Sequence, residues 1–274
     1  SAVINSARDF SCAILTADDE LLTAAEGIPV HIFGAQLQAQ AVRKAHPGMR
    51  EGDAFLDNNP YGGNSHAADH TILVPVFVDG EHMFTAVAKA HQADIGNSIP
   101  TTYHASAKDV YEAGALILPP VQVQRDYENI DDVIRMCRTR IRVPSQWYGD
   151  FLAAVGSARI AERRLKELVA KYGKDAVKQF VRDWLDYSER LMVKAVSELP
   201  EATLTNTGRH DPFLPYLPDG LDIHVKVVIK PSEGRIDVDL TENGPNVDCG
   251  LNLTEATTRA SVFGAVFNAI PVHI

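Results

Sequence analysis

Thr71–Val78 (TILVPVFV), Asp79-Gly80 and His82–Ala90 (HMFTAVAKA) form the stretch on which the fold turns. Two apolar runs of strand length flank an Asp-Gly pair. That pair suits the tight turn whose twist matches antiparallel strands. The stretch reads as a β-hairpin, and its open end matters most. Thr71 follows His70 directly, and His91 follows Ala90 directly. Pairing the strands around Asp79-Gly80 therefore brings the residues before 71 and after 90 together.

Upstream, Phe10–Leu15 and Ile28–Phe33 are short apolar runs, with a turn marked by Asp18-Asp19-Glu20 between them. Ala35–Ala45 (AQLQAQAVRKA) is built of good helix formers and closes at His46-Pro47-Gly48. Asp53–Leu56 reads as a strand entering a loop rich in Asn, Gly and Pro. Downstream the pattern turns helical: Ile130–Arg140, then Ser145–Lys171 with Phe151, Val155, Ile160, Leu165 and Val169 on one stripe, then Asp175–Leu199. Gly173 separates the last two, which predicts an antiparallel helical hairpin. Leu221–Lys230 and Arg235–Leu240 read as strands, and Thr254–Asn268 as a helix. The expected class is α+β, with mixed or antiparallel β-sheets and a central long helical hairpin. The expected division is a metal-binding α+β domain over 1–125, a helical segment over 126–200 and a β-rich segment over 201–274. Ala2–Asn5 (AVIN) reads as the inside of a strand, and Pro271–Ile274 (PVHI) ends without a closing signal. Both ends suggest a fragment of a larger subunit.

Composition narrows the function. The 274 residues are 45% hydrophobic and 23% charged, with a net charge of −10. That is globular composition, and it argues against nucleic acid as a partner, because phosphate binding needs clustered Lys and Arg. The basic stretch Arg135–Arg142 (RMCRTRIR) reads as a solvated helix end or a subunit contact. Cys12, Cys137 and Cys249 form no CxxC pair, which suits a reducing compartment. No apolar run is long enough to span a bilayer. The expectation is a cytoplasmic protein with no membrane partner.

The chemistry concentrates at the hairpin mouth. His66 and Asp69 stand three apart after Gly62-Gly63, a spacing that shares one face of a turn. Imidazole with carboxylate and no thiolate suits Zn²⁺, Mn²⁺ or Fe²⁺. His91, at the far end of the second strand, supplies a third ligand, and Asp9 is a candidate fourth. His70 points away from Asp69 if the segment is extended. The bland alternative is that strand-end histidines bond only to backbone and that Asp9 pairs with a nearby Arg.

Several ordered blocks resemble the hydantoinase B/oxoprolinase family. Arg8–Ile14 (RDFSCAI) followed by Ile28–His31 (IPVH) resembles its start. Asn58–Asp69 (NNPYGGNSHAAD) resembles its Asn-Asp-Pro-Tyr, Gly, Thr-His-x-x-Asp signature, and Ala90–Gly96 (AHQADIG) its Ala-His-x-x-Asp-x-Gly block. Glu112–Leu116 (EAGAL) matches the next block, and Gly244-Pro245 lies in a recognisable later segment. The resemblance implies a divalent metal held by His66, Asp69 and His91, with Asp9 carried over less directly. It also implies a hydantoinase A-like partner subunit that binds ATP. In agreement, neither GxxxxGKS/T nor GxGxxG occurs in this chain. The activities implied are ATP-coupled hydrolysis of a cyclic amide, or carboxylation of a ketone with bicarbonate, in a hetero-oligomer. His31, His70 and Asp94 are the candidates for proton transfer or for orienting the ligands. Asn59 for Asp, Ser65 for Thr, Gln92 for His and Asn97 for Gly depart from the commoner hydrolase pattern. The stretch from His91 to Tyr103 leans slightly toward the carboxylases. A non-catalytic structural metal module is the third reading.

Overall fold

The computed structural model describes residues 1–25 and 27–270. In chain order the elements begin with α1 (Ala2–Asn5), β1 (Phe10–Thr16), β2 (Leu21–Ala25), α2 (Ala35–Ala45) and β3 (Ala54–Asp57). The hairpin follows as β4 (Asp69–Val78) and β5 (Glu81–His91). Then come α3 (Val110–Ala113), β6 (Val121–Arg125), β7 (Glu128–Asn129), α4 (Asp131–Arg140), α5 (Pro144–Tyr172) and α6 (Lys174–Ser197). The last are β8 (Ala202–His210), β9 (Leu221–Lys230), β10 (Arg235–Asp239) and α7 (Glu255–Ala269).

The hairpin is the centre of a seven-stranded sheet of order β2-β1-β5-β4-β3-β6-β7, and β10-β9-β8 form a second sheet of three. Every strand pairing in both is antiparallel. Asp79 and Gly80 take the positive φ values, 52° and 77°, that the tight turn demands. β4 and β5 are almost wholly buried because both of their faces are covered, and their middle stretches, Ile72–Val78 and Met83–Ala88, are apolar but for Thr85. Ile72, Val74, Val76 and Leu56 face a core shared with Trp147, Phe151 and Val155 of α5. Leu73, Phe55, Val87 and Leu15 face a second core with Ala35, Ala39 and Val42 of α2. Each Leu, Ile or Phe so buried contributes about 1.5–3 kcal/mol of transfer free energy. Pro75 lies past the end of the β3 pairing, which covers only Thr71 to Leu73 of β4, so its missing N–H costs no bond there.

One expectation is corrected. Ala2–Asn5 is one helical turn, capped by the Ser1 side chain, rather than a strand. The apolar run Ile28–Phe33 contains a 3₁₀ turn at Pro29–His31, since Pro29 fixes its own φ and donates no backbone bond. Pro271–Ile274 lies outside the described residues. No described helix is long and apolar enough to cross a membrane.

Candidate metal centre

The hairpin register places Asp69 directly opposite His91. Adjacent strands put the Cβ atoms of facing residues within side-chain reach, so one residue from each strand end converges on one point. His91 Nδ1 lies 3.1 Å from Asp69 Oδ1. His66, on the turn leading into β4, brings Nε2 to 3.2 Å from Asp69 Oδ2. One ligand atom from each of His66, Asp69 and His91 lies within 4.8 Å of the other two.

Two further residues join them. His31 arrives on the 3₁₀ turn and sets Nε2 3.4 Å from Asp69 Oδ2 and 3.4 Å from Asp9 Oδ1. Asp9 Oδ2 is 3.9 Å from His91 Nδ1, and the His91 backbone N–H donates to the Asp9 carbonyl at 3.1 Å. Three imidazoles and two carboxylates thus surround one space. Burial pushes the Asp69 carboxyl up, but hydrogen bonds from His31 and His91, with His66 nearby, pull it well below its usual range. Desolvation lowers His66 to about 4 against the pull of Asp69, so its ring is neutral at pH 7 and able to ligate.

The donor set fits a divalent cation. Asp9 Oδ1 and His31 Nδ1 are buried without a hydrogen-bond partner among the described residues. A carboxylate oxygen left bare in such a place costs free energy unless a cation answers it. Oxygen and imidazole nitrogen together match borderline and hard ions, not the thiophilic ones.

The structure keeps the other two candidates out of this cluster. His70 faces the opposite side of β4, accepts the Trp147 indole N–H at Nδ1 (3.2 Å), and is lowered to about 4 by burial. Asp94 turns to Arg142, accepting its backbone N–H and its Nη1, both at 2.9 Å, and the Gly96 N–H at 3.0 Å. Desolvation raises the Asp94 carboxyl, and the Arg142 and Gly96 bonds outweigh it, so the net shift is downward. This pair ties the segment after β5 to the end of α4. Arg142→Met is therefore expected to cost about 1–3 kcal/mol by leaving that carboxylate underbonded. A carboxyl lowered on folding contributes stability above its unfolded value near 4 and loses it on further acidification. The deficit of Arg142→Met should then shrink below pH 4 in thermal melts, with metal content unchanged.

The sequence did not point to the groups on the solvent side of the cluster. Thr102 Oγ1 lies 3.1 Å from His91 Nε2, and Tyr103 Oη 2.6 Å from His66 Nε2. The Tyr103 ring stacks on His91 at 5.8 Å between centroids. Its hydroxyl is pushed up to about 12 by burial, with Asp69 and Asp9 adding to the shift, so it stays protonated. On the protein side lies Lys89, two residues before His91 and on the same strand face. It is 2% exposed, with no partner for Nζ among the described residues, and burial lowers it to about 8. Beside it, Gln38 of α2 bridges Asp57 and Thr71 at 2.8 and 3.1 Å. Strand alternation from His91 was the signal for Lys89. Nothing periodic marks Thr102 or Tyr103.

A buried His/Asp cluster at a hairpin mouth, within an antiparallel sheet covered by helices on both faces, defines the class. The chain belongs to the hydantoinase B/oxoprolinase family, whose description matches residues 1–274. It is 30% identical over 265 residues to the caprolactamase subunit beta of Pseudomonas jessenii, covering 96% of this chain and 45% of that protein. The crystal structure of the ATP-dependent caprolactamase from Pseudomonas jessenii superposes with a TM-score of 0.87 at 28% identity, over 96% of this chain and 45% of that one. A nucleotide-free acetone carboxylase shares the fold, with a TM-score of 0.87 at 16% identity over 99% of this chain and 37% of that one. The chain thus spans less than half the length of these relatives.

Proposed function

We propose that this chain is the metal-binding catalytic part of a cytoplasmic, ATP-coupled cyclic amide hydrolase of the hydantoinase/oxoprolinase type. ATP is bound by a hydantoinase A-like partner subunit in a hetero-oligomer. The observation that carries this reading is the convergence of His66, Asp69, His91 and Asp9 on one space at the hairpin mouth. The similarity to a caprolactamase subunit supports the cyclic amide as substrate class.

His66, Asp69, His91 and Asp9 would hold Mn, Zn or Fe as the divalent ion. Such an ion, when bound, supplies a Lewis acid for the oxyanion that develops on the substrate carbonyl. The chain's own groups do the rest. Ser65 donates to Asp69 and fixes its orientation. His31, within 3.4 Å of both carboxylates, is placed to hold or pass a proton at Asp9. The side chains of His70 and Asp94 act through position, the first by anchoring β4 on α5 and the second by anchoring the segment after β5.

A second reading, ATP-coupled carboxylation of a ketone with bicarbonate, draws on the stretch from His91 to Tyr103. That stretch departs from the hydrolase pattern at Gln92 and Asn97 and contributes Thr102 and Tyr103 to the cluster. The test is metal analysis of the full assembly together with its substrate-dependent ATP turnover, with and without labelled bicarbonate. Stoichiometric metal and lactam-dependent turnover without label in product is the expected result. Label in product selects the carboxylase, and an assembly without metal overturns the site.

A further inference from the structure

The solvent side of the cluster is built by one loop. Asn97 holds that loop by donating to the Thr101 carbonyl at 2.6 Å, and Gly250 donates to the Ala105 carbonyl at 2.7 Å farther along. Between these anchors, Thr102 and Tyr103 place consecutive side chains on the two imidazoles. Tyr103 is 61% exposed overall, yet its hydroxyl points inward to His66 Nε2. That nitrogen is the hydroxyl's single partner among the described residues, and it is also the atom by which His66 faces Asp69. A ring nitrogen has one lone pair or one proton to offer. It cannot serve an ion and stay fully bonded to the phenol.

We propose that Tyr103 is a substrate-binding residue of this site, whose hydroxyl donates a hydrogen bond to the carbonyl oxygen of an amide or ketone substrate beside the ion. The inference rests on the metal reading above and deepens it by naming the group that receives the substrate. When His66 Nε2 turns to a cation, the phenol loses its partner and is left a donor at the mouth of the site. The ring, tilted against His66 at 4.6 Å and stacked on His91, fixes where that donor points. A phenol carries both a flat apolar face and one polar tip, so it can bound a small cyclic or ketonic substrate and orient it at once. Thr102 is the complement: its hydroxyl meets His91 Nε2, the nitrogen turned away from Asp69, and so orients a ligand instead of meeting substrate.

The test is Tyr103→Phe in the full assembly, loaded with Mn²⁺. Lactam (ε-caprolactam) and ketone (acetone) are titrated both for turnover and for equilibrium binding by calorimetry. The side chain is largely exposed and Phe keeps its ring, so the fold is retained. The expected result is Mn²⁺ stoichiometry and affinity within twofold of the parent. KM and Kd for the substrate that is turned over should rise at least tenfold, and kcat should fall by less. Unchanged KM and Kd overturn the proposal. Loss of Mn²⁺ in the variant overturns it too, by making the phenol a ligand or a prop of His66. A parent assembly that turns over substrate without metal sinks the metal reading instead, and the role of Tyr103 is still decided by the two Kd values.

Discussion

Asp69→Asn is expected to abolish stoichiometric divalent-metal binding and, with it, activity of the full assembly. Asp69 is fully buried and receives His66, His91, His31 and Ser65 at once. Asn keeps the shape and one acceptor oxygen but removes the charge that offsets a dication in a desolvated place. Losing a partner of a ligand commonly weakens metal binding about 10–100-fold, and losing a central charged ligand should exceed that range. The variant also reads out in the metal-free protein. The Asp69 carboxyl lies well below its unfolded value, so in the parent it contributes stability above about pH 4 that disappears as the pH falls through the folded value. Asp69→Asn should therefore lower the melting temperature at pH 7 and flatten its dependence on pH below 4. Elemental analysis after dialysis, with melts from pH 3 to 7, checks both. Metal retained at the parent's stoichiometry would remove Asp69 from the ligand set.

The site was legible where chain geometry is local. Asp79-Gly80 sets a two-residue turn, so spacing alone brought two strand ends together. The facing of Asp69 and His91 needs a bulge at Val76/Phe77 that shifts the pairing by one residue, without which Asp69 would face Ala90. The i to i+3 relation did the same for His66 and Asp69. Where tertiary packing chooses, sequence was less informative. Ile28–Phe33 reads only as a short apolar run, and the 3₁₀ turn that Pro29 starts within it is what delivers His31 to the cluster. A four-residue run such as Ala2–Asn5 is too short for a period of 2 to be told from one of 3.6. The strand Ala202–His210 is nearly all exposed and polar, so it carries no alternation to read. Its partner β9 supplies the order that its own sequence does not announce. Tyr103 lies 37 residues from His66 along a loop without regular structure, where no pattern predicts contact. The same holds for Thr254 and Thr257 at the start of α7, whose hydroxyls donate to the Ser65 carbonyl at 3.2 and 3.0 Å and so steady the loop that carries His66.

Gly63→Ala is expected to be strongly damaging although Gly63 is not itself a candidate ligand. Gly63 has φ of 107°, a conformation that costs an L-residue about 1–3 kcal/mol. A Cβ there would sit 2.4 Å from Leu37 Cβ and 2.9 Å from the Leu37 carbonyl carbon, so α2 itself would have to move. Overpacking of this kind costs about 1–3 kcal/mol more. The sum, about 2–6 kcal/mol, corresponds to a fall in melting temperature of roughly 4–24 °C at 2–4 °C per kcal/mol. The damage should also reach the site. Asn64 donates to the carbonyls of His66 and Asp69 at 2.6 and 2.8 Å, so a loop pushed off α2 carries both His66 and Asp69 with it. Metal affinity should drop at least about tenfold, the lower end of what displaced supporting groups cost. Gly156→Ala supplies the contrast. Gly156 lies inside α5 with nothing within 4 Å of an added Cβ, and Ala there should add about 0.5–1 kcal/mol through helix propensity alone. The same chemical change thus has opposite signs at two positions, because one glycine is a spacer between a loop and a helix and the other is merely a weak helix former. Equal melting temperatures for the two variants would mean that the loop's seat on α2 does not hold the ligands in place.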